Sequence, residues 1–299
     1  IDLSHNDYLG LRTDRVFQKN AHEAGSKSLV GGGASRLLGG QFPEFEELES
    51  AFASYKGAES ALYFPSGYSA NEAVVTCLAH RKSEIFSDQF NHASIIDGVR
   101  LSPLPKTKTH IFKHASESDL EDALQKSDAE SNIILTESLV SMDGDFAPLV
   151  EYYSLAEKYN GILVVDEAHA TGLYGKNGNG LISELGLDHK HIISVNTCGK
   201  ALGTQGALVC GPQWFKDYLI NKARSFIYTT APSPKMAAAV LEAINHVSTL
   251  DERRERLKYL SSTLLSELKE LGYDTLNSNS HIIPVIMGTD QKAVEATIH

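Results

Sequence analysis

Between Val195 and Gly211 the chain reads VNTCGKALGTQGALVCG, with Lys200 alone between Gly199 and Ala201, just after the apolar run IISVNT. An amine set among small residues has room to swing, and a mobile amine can serve as nucleophile or base. Taken alone, such a lysine is more often a solvated turn residue. Other stretches add weight. GILVVDEAHATG ends an apolar run with Asp166 and follows it with His169. A carboxylate there could bind a metal, act as a base or hold a cationic nitrogen, and half the time it is only a helix cap. TESLVSMDGD carries Glu137, Ser141 and Asp143, and DQFNHAS puts His92 just before a helical pattern. A lone histidine is more often structural. FPSGYSAN places Ser66, Gly67 and Tyr68 where an apolar run turns into a helix, whose free N–H groups suit a phosphate. Thr197 closes the run before Lys200.

These residues need a common scaffold. Short β-branched runs alternate with amphipathic stretches. The expected strands are Ala61–Phe64, Glu84–Ser87, Thr109–Phe112, Asn132–Glu137, Gly161–Asp166, His191–Asn196 and Ala207–Cys210. The expected helices are Pro43–Tyr55, Gly67–His80, Ser94–Leu101, Ser118–Lys126, Leu149–Tyr159 and Gln213–Ser225, with caps at Ser66 and Ser118. Alternation of this kind means an α/β domain with a mostly parallel sheet. Ligands of open α/β sheets bind beyond the carboxyl ends of the strands, where every residue singled out above falls. After Pro232 the pattern changes to helices over Pro234–Val247 and Asp251–Leu271 and a strand over His281–Met287. Three segments result: 1–42, with the glycine-rich SLVGGGASRLLGG; a large domain, 43–232; and the start of a smaller α+β domain, 233–299.

Composition narrows the class. The net charge is -11, with Lys+Arg 27 against Asp+Glu 38, which speaks against nucleic acid as a partner. No apolar run approaches the roughly 20 residues of a membrane helix, and no signal-peptide pattern is visible. Cys77, Cys198 and Cys210 are too scattered for a disulfide framework and read as small buried residues in a reducing, cytoplasmic setting. HEAGS and DEAHA lack the H-E-x-x-H metal spacing, GKALGT is not a Walker loop, and no G-x-S-x-G elbow occurs. No metal is expected. The chain begins at Ile1 without methionine and stops in QKAVEATIH, inside an expected helix, so it reads as part of a longer polypeptide.

A phosphate cradle, an acid, two imidazoles and a mobile amine on one sheet edge fit pyridoxal 5'-phosphate. That cofactor needs a lysine for its Schiff base, an aspartate to keep the pyridine nitrogen protonated, donors for its phosphate and something flat against its ring.

The order of SHNDYLGL, GGGASRLLGG, ELESAFASYKGAESALYFPSGYSAN, DQFNHASIIDGVRLS, TESLVSMDGDFAPL, VVDEAHATGLYGKNGNG, TCGKALGTQGALVCG and IYTTAPSP resembles the α-oxoamine synthases, pyridoxal phosphate enzymes of aspartate aminotransferase fold type I. The segments span nearly the whole chain. The resemblance implies the PLP-dependent transferase fold type I, with a mostly parallel seven-stranded sheet. It also implies roles. Lys200 resembles the Schiff-base lysine, Asp166 the partner of the pyridine nitrogen, and His92 the histidine stacked on the ring. His169 and Ser141 match residues near the phenolic oxygen, and Thr197 with Gly67 and Tyr68 the phosphate site. Thr229 and Thr230 match a pair reaching the phosphate of a neighbouring subunit, hence a homodimer. Asn6 matches a substrate contact.

The reaction implied is a decarboxylative Claisen condensation. An amino acid displaces Lys200, the freed amine removes the Cα proton, the carbanion attacks an acyl thioester and CO2 leaves. HNDYLGL, SMDGDFAPL and GALVCG look most like the branch that joins L-alanine to a pimeloyl group on CoA or carrier protein in biotin synthesis. Branches using glycine with acetyl-CoA share the same core. The family's carboxylate-binding arginine has no matching segment here, nor does its N-terminal helix. Some chains of this fold are inactive subunits that have lost the lysine; this one keeps it.

Overall fold

The computed structural model describes residues 3–298. They are organised by one seven-stranded sheet: β1 (Ser60–Phe64), β2 (Ser83–Asp88), β3 (Thr109–Phe112), β4 (Ser131–Glu137), β5 (Gly161–Asp166), β6 (Ile192–Thr197) and β7 (Ala207–Gly211). Their spatial order is β1-β7-β6-β5-β4-β2-β3. Strands β2 to β6 run parallel, and β7 is antiparallel to β6 and β1. Each strand falls within one residue of its expected bounds.

The strands are continuous apolar runs because both faces are covered. On β4, Ile133 and Leu135 join a core with Val74, Leu78 and Ile95, while Ile134 enters another with Phe86, Phe112 and Leu155. On β7, Ala207 and Val209 face the first core, and Leu208 and Cys210 face a third with Phe45, Phe52 and Val240. All three cysteines are buried and free.

The antiparallel strand has a local cause. Residues 198–206 are too few for a crossover helix, so the chain must turn straight back. Cys198 N donates to Gly206 O at 2.9 Å, Thr204 N to Cys198 O at 2.9 Å and Gly203 N to Lys200 O at 2.9 Å. Gly203 has φ +59, and a Cβ there would lie 2.7 Å from Leu11 Cβ. Lys200 therefore rides on a tight reversal between neighbouring strands. Gly199 is not what makes room for it: a Cβ there would meet only Thr204 O, at 3.7 Å.

Three local expectations need correction. His281–Met287 is irregular, not a strand; no described strand lies beside it to take up its backbone groups, and an unpaired strand has no ladder to form. The helix expected over Gln213–Ser225 is two, Gln213–Lys222 and Arg224–Ile227, interrupted at Ala223, whose ψ of 110 is extended. The helix expected from Ser118 starts at Glu117 and is capped by Ser116, whose side chain accepts from Asp119 N at 3.3 Å. The helix Arg15–Ala24 was not anticipated. Phe17 is its one buried residue, and Asp14 caps it by accepting from Val16 N and Phe17 N. No described helix is long and apolar enough to cross a membrane.

Candidate active site

The register of the parallel strands sets the site. Glu137 at the end of β4 pairs with Asp166 at the end of β5, and Asp166 with Val195 of β6, two residues before Thr197. Beyond these ends lies a cavity of about 360 Å³. Asn6, Gly67, Tyr68, His92, Asp166, Thr197 and Lys200 all line it. His169 is tied to it through Lys200, Nζ to Nε2 at 2.7 Å. Ser141 lies in the loop after β4, with its N–H facing Glu137. Thr229 and Thr230 do not line this cavity. They sit beside the glycine-rich loop, where Ala231 N donates to Ala34 O at 2.9 Å.

The helix Gly67–Leu78 opens onto the cavity. Ser66 caps it by accepting from Ser69 N at 3.1 Å. That leaves the N–H groups of Gly67 and Tyr68 without carbonyl partners inside the helix, at its positive end. Gly67 is needed for packing: a Cβ there would come 2.5 Å from Thr197 Cγ2. The helix start and the end of β6 thus close together into a cradle for an anion.

Asp166 is held as an acceptor. Its Oδ1 takes Ala168 N at 2.8 Å, and its Oδ2 takes Asn71 Nδ2 at 2.7 Å. Asn71 also donates to Ser94 Oγ at 2.9 Å, and Ser94 Oγ lies 2.7 Å from His92 Nδ1. His92 Nδ1 accepts from Ser94 N as well, at 3.1 Å, so the imidazole caps the helix Ala93–Leu101. Its ring is exposed to the cavity. Asn71 and Ser94 were not picked out in the sequence. Buried polar residues on the first turns of two helices that flank the site were the available signal.

On the other side, Lys200, His169, Tyr8 and Asn6 form a chain. Tyr8 Oη lies 2.7 Å from His169 Nδ1 and donates to Asn6 Oδ1 at 3.2 Å. With His169 Nδ1–H donating to Tyr8, Nε2 is left to accept from the lysine. Burial holds His169 far down, at about 2, with Lys200, His281 and His92 adding to the effect, so it stays neutral. Burial lowers the Lys200 amine below its ordinary value, against the pull of Asp166 and Glu137. Glu137 is pushed up to about 8, by burial first and then by Asp166.

An amine with lowered proton affinity, an acid held by two donors, an open helix start and an exposed ring fit pyridoxal phosphate. Asp166 could hold its ring nitrogen, Gly67, Tyr68 and Thr197 its phosphate, and Lys200 its carbonyl carbon.

Comparison with known proteins agrees. The family Aminotransferase class I and II matches residues 1–298. An 8-amino-7-oxononanoate synthase of Thermosipho melanesiensis is 40% identical over 288 residues, covering 96% of this chain and 73% of that one. The structure of 8-amino-7-oxononanoate synthase from Francisella tularensis superposes with TM-score 0.83 at 30% identity, covering 99% of this chain and 83% of the other. Serine palmitoyltransferase from S. paucimobilis, with PLP bound, gives TM-score 0.88 at 29% identity over 96% of this chain and 74% of its own. With the strand-edge lysine and acid in place, the chain belongs to the α-oxoamine synthases, pyridoxal phosphate-dependent acyltransferases within the class I and II aminotransferase family.

Proposed function

We propose that this chain condenses L-alanine with a pimeloyl thioester, on CoA or carrier protein, to 8-amino-7-oxononanoate. One observation carries the chemistry: a largely buried amine, Lys200, shares a cavity with a doubly held carboxylate, Asp166, and an open helix start. Pyridoxal phosphate, when bound, supplies the electron sink for a carbanion at the amino acid Cα. Asp166 would keep a proton on the ring nitrogen. Gly67 and Tyr68 N–H with Thr197 would hold the phosphate, and His92 would lie against the ring. His169 and Ser141 would serve the phenolic oxygen. Lys200 takes the Cα proton; its lowered affinity for protons increases the neutral amine a base requires. Asn6 faces the substrate. Thr229 and Thr230, outside their own cavity, reach the phosphate of a second copy in a homodimer.

The choice of alanine and pimeloyl group rests on likeness to the oxononanoate synthases. The test follows visible absorption of the cofactor-loaded protein during titration with L-alanine, glycine and L-serine, then adds pimeloyl-CoA and measures CO2 and free CoA. Response to alanine with release of both is expected. Preference for glycine with no response to pimeloyl-CoA would overturn the substrate assignment and move it to the acetyl-CoA branch. Amino transfer without CO2 release would overturn the reaction itself.

A further inference from the structure

His114 lies two residues beyond the end of β3 and is not among the residues lining the cavity. It is nonetheless buried between two carboxylates. Its Nδ1 is hydrogen-bonded to Asp88 Oδ2 at 2.8 Å; its Nε2 lies 3.2 Å from Asp145 Oδ1 at ion-pair distance, the two atoms not aligned for a hydrogen bond and having no other partner among the described residues. Phe90 stacks on its ring at 5.0 Å. The three residues follow three adjacent strands: Asp88 ends β2, His114 follows β3, and Asp145 lies in the loop after β4.

Each aspartate belongs to a segment of the proposed cofactor site. Asp88 ends β2 and accepts from Phe90 N at 2.9 Å, so it shapes the turn that delivers His92. Asp145 closes the loop holding Ser141: its carbonyl accepts from Val140 N at 3.0 Å, and Leu139 bridges Phe146. On the cavity side the same two segments meet again at Glu137, which the N–H groups of both Ser141 and His92 face. The His92 turn and the Ser141 loop are therefore joined twice, inside by Glu137 and outside by His114.

We propose that His114 is a positioning residue: bridging Asp88 and Asp145, it locks the turn that carries His92 to the loop that carries Ser141, and so sets how tightly the cofactor is held. The proposal rests on the pyridoxal phosphate reading of the cavity. A neutral imidazole has one N–H and can serve only one of the two carboxylates; the imidazolium serves both. The groups facing this cluster are Asp88, Asp145 and Asp143, with Tyr152 near Asp88. Burial opposes a proton on His114, but hydrogen bonding and attraction to Asp88, then Asp145, win and raise it above 6.5. The bridge is thus complete at low pH and is lost as pH climbs through that raised value.

The test titrates apoprotein with pyridoxal phosphate between pH 6 and 9, by visible absorption, for wild type, His114→Gln and Asp145→Asn. Hydrogen exchange is read in residues 88–92 and 139–146 of the same apoproteins. His114→Gln should weaken binding by about tenfold at the acid end. The gap to wild type should close as pH rises, and both segments should exchange faster together. Asp145→Asn, which leaves the Asp88 contact intact, should fall between and covers the case in which His114→Gln does not fold. Equal affinity and exchange in all three at pH 6 would overturn the proposal, as would a gap independent of pH. If wild type binds no cofactor, the cavity reading falls with the affinity claim, and the exchange data then decide the bridge alone.

Discussion

Asp166 and Glu167 are neighbours in sequence, and each sits beside a lysine withdrawn from solvent. Glu167 takes Lys56 Nζ at 2.5 Å, with both side chains fully buried, and its other oxygen accepts Leu181 N at 2.6 Å and Ile182 N at 3.1 Å. That lysine is locked in an ion pair away from solvent. Asp166 instead spends both oxygens on amide donors, and Lys200 bonds only to a neutral imidazole at 2.7 Å. The difference separates a structural amine from a chemical one. A buried lysine paired directly with a carboxylate is fixed by it. One kept near a carboxylate but off it loses protons more easily and can be displaced.

Removing each amine tests the contrast. Lys200→Ala should abolish turnover, by about 10³-fold or more for a residue that is both anchor and base. Its cost in stability should be small, about 1 kcal/mol for leaving His169 Nε2 without a donor, read by denaturant unfolding. Lys56→Met should do the reverse. It strands a fully buried Glu167 and should destabilise by about 3–5 kcal/mol. Lys56→Met with Glu167→Gln should recover much of that loss, because no charge is then left unpaired. If both single variants lost stability equally, the contrast would fail.

Much of this contrast could be read in the sequence, and the part that could not has a physical reason. The seven strands and the residues at their ends were visible because β-strands and their caps leave local periodic signals. Lys200, Asp166, His169, His92, Gly67, Tyr68 and Thr197 converge, as the rule for open α/β sheets implies, and Asn6, marked only by the family resemblance, joins them. Lys56 stayed hidden. It ends the helix Pro43–Lys56 and reads as an ordinary basic residue at a helix C-terminus. Its partner is 111 positions away, and nothing local marks a long-range ion pair. Asn71, Ser94 and Tyr8 escaped for the same reason, since they act through contacts between elements. The absent strand at His281–Met287 shows the limit from the other side: apolar alternation marks what could pair, not whether a partner stands beside it.

Glu137 offers the subtlest test, because it is a third carboxylate at the same edge with no cation against it. Its Oε1 has no hydrogen-bond partner, and burial with Asp166 beside it moves its titration from 4.5 to about 8. The folded state therefore keeps a proton that the unfolded chain has released. For a carboxyl raised in this way, stability is greatest below about 4.5 and declines until pH passes about 8. Glu137→Gln keeps the shape and removes the titration. Unfolding of wild-type and variant apoprotein across pH 5 to 9 should show the wild type losing ground, on the order of a few kcal/mol at most, then running parallel above pH 8. Lys200→Ala with Glu137 in place sharpens the point. Attraction to Lys200 opposes the rise that burial and Asp166 impose on Glu137, so removing it should push the end of the decline to higher pH. A constant difference between wild type and Glu137→Gln over the whole range would mean that Glu137 is ionised in the fold, and that Lys200 is paired much as Lys56 is.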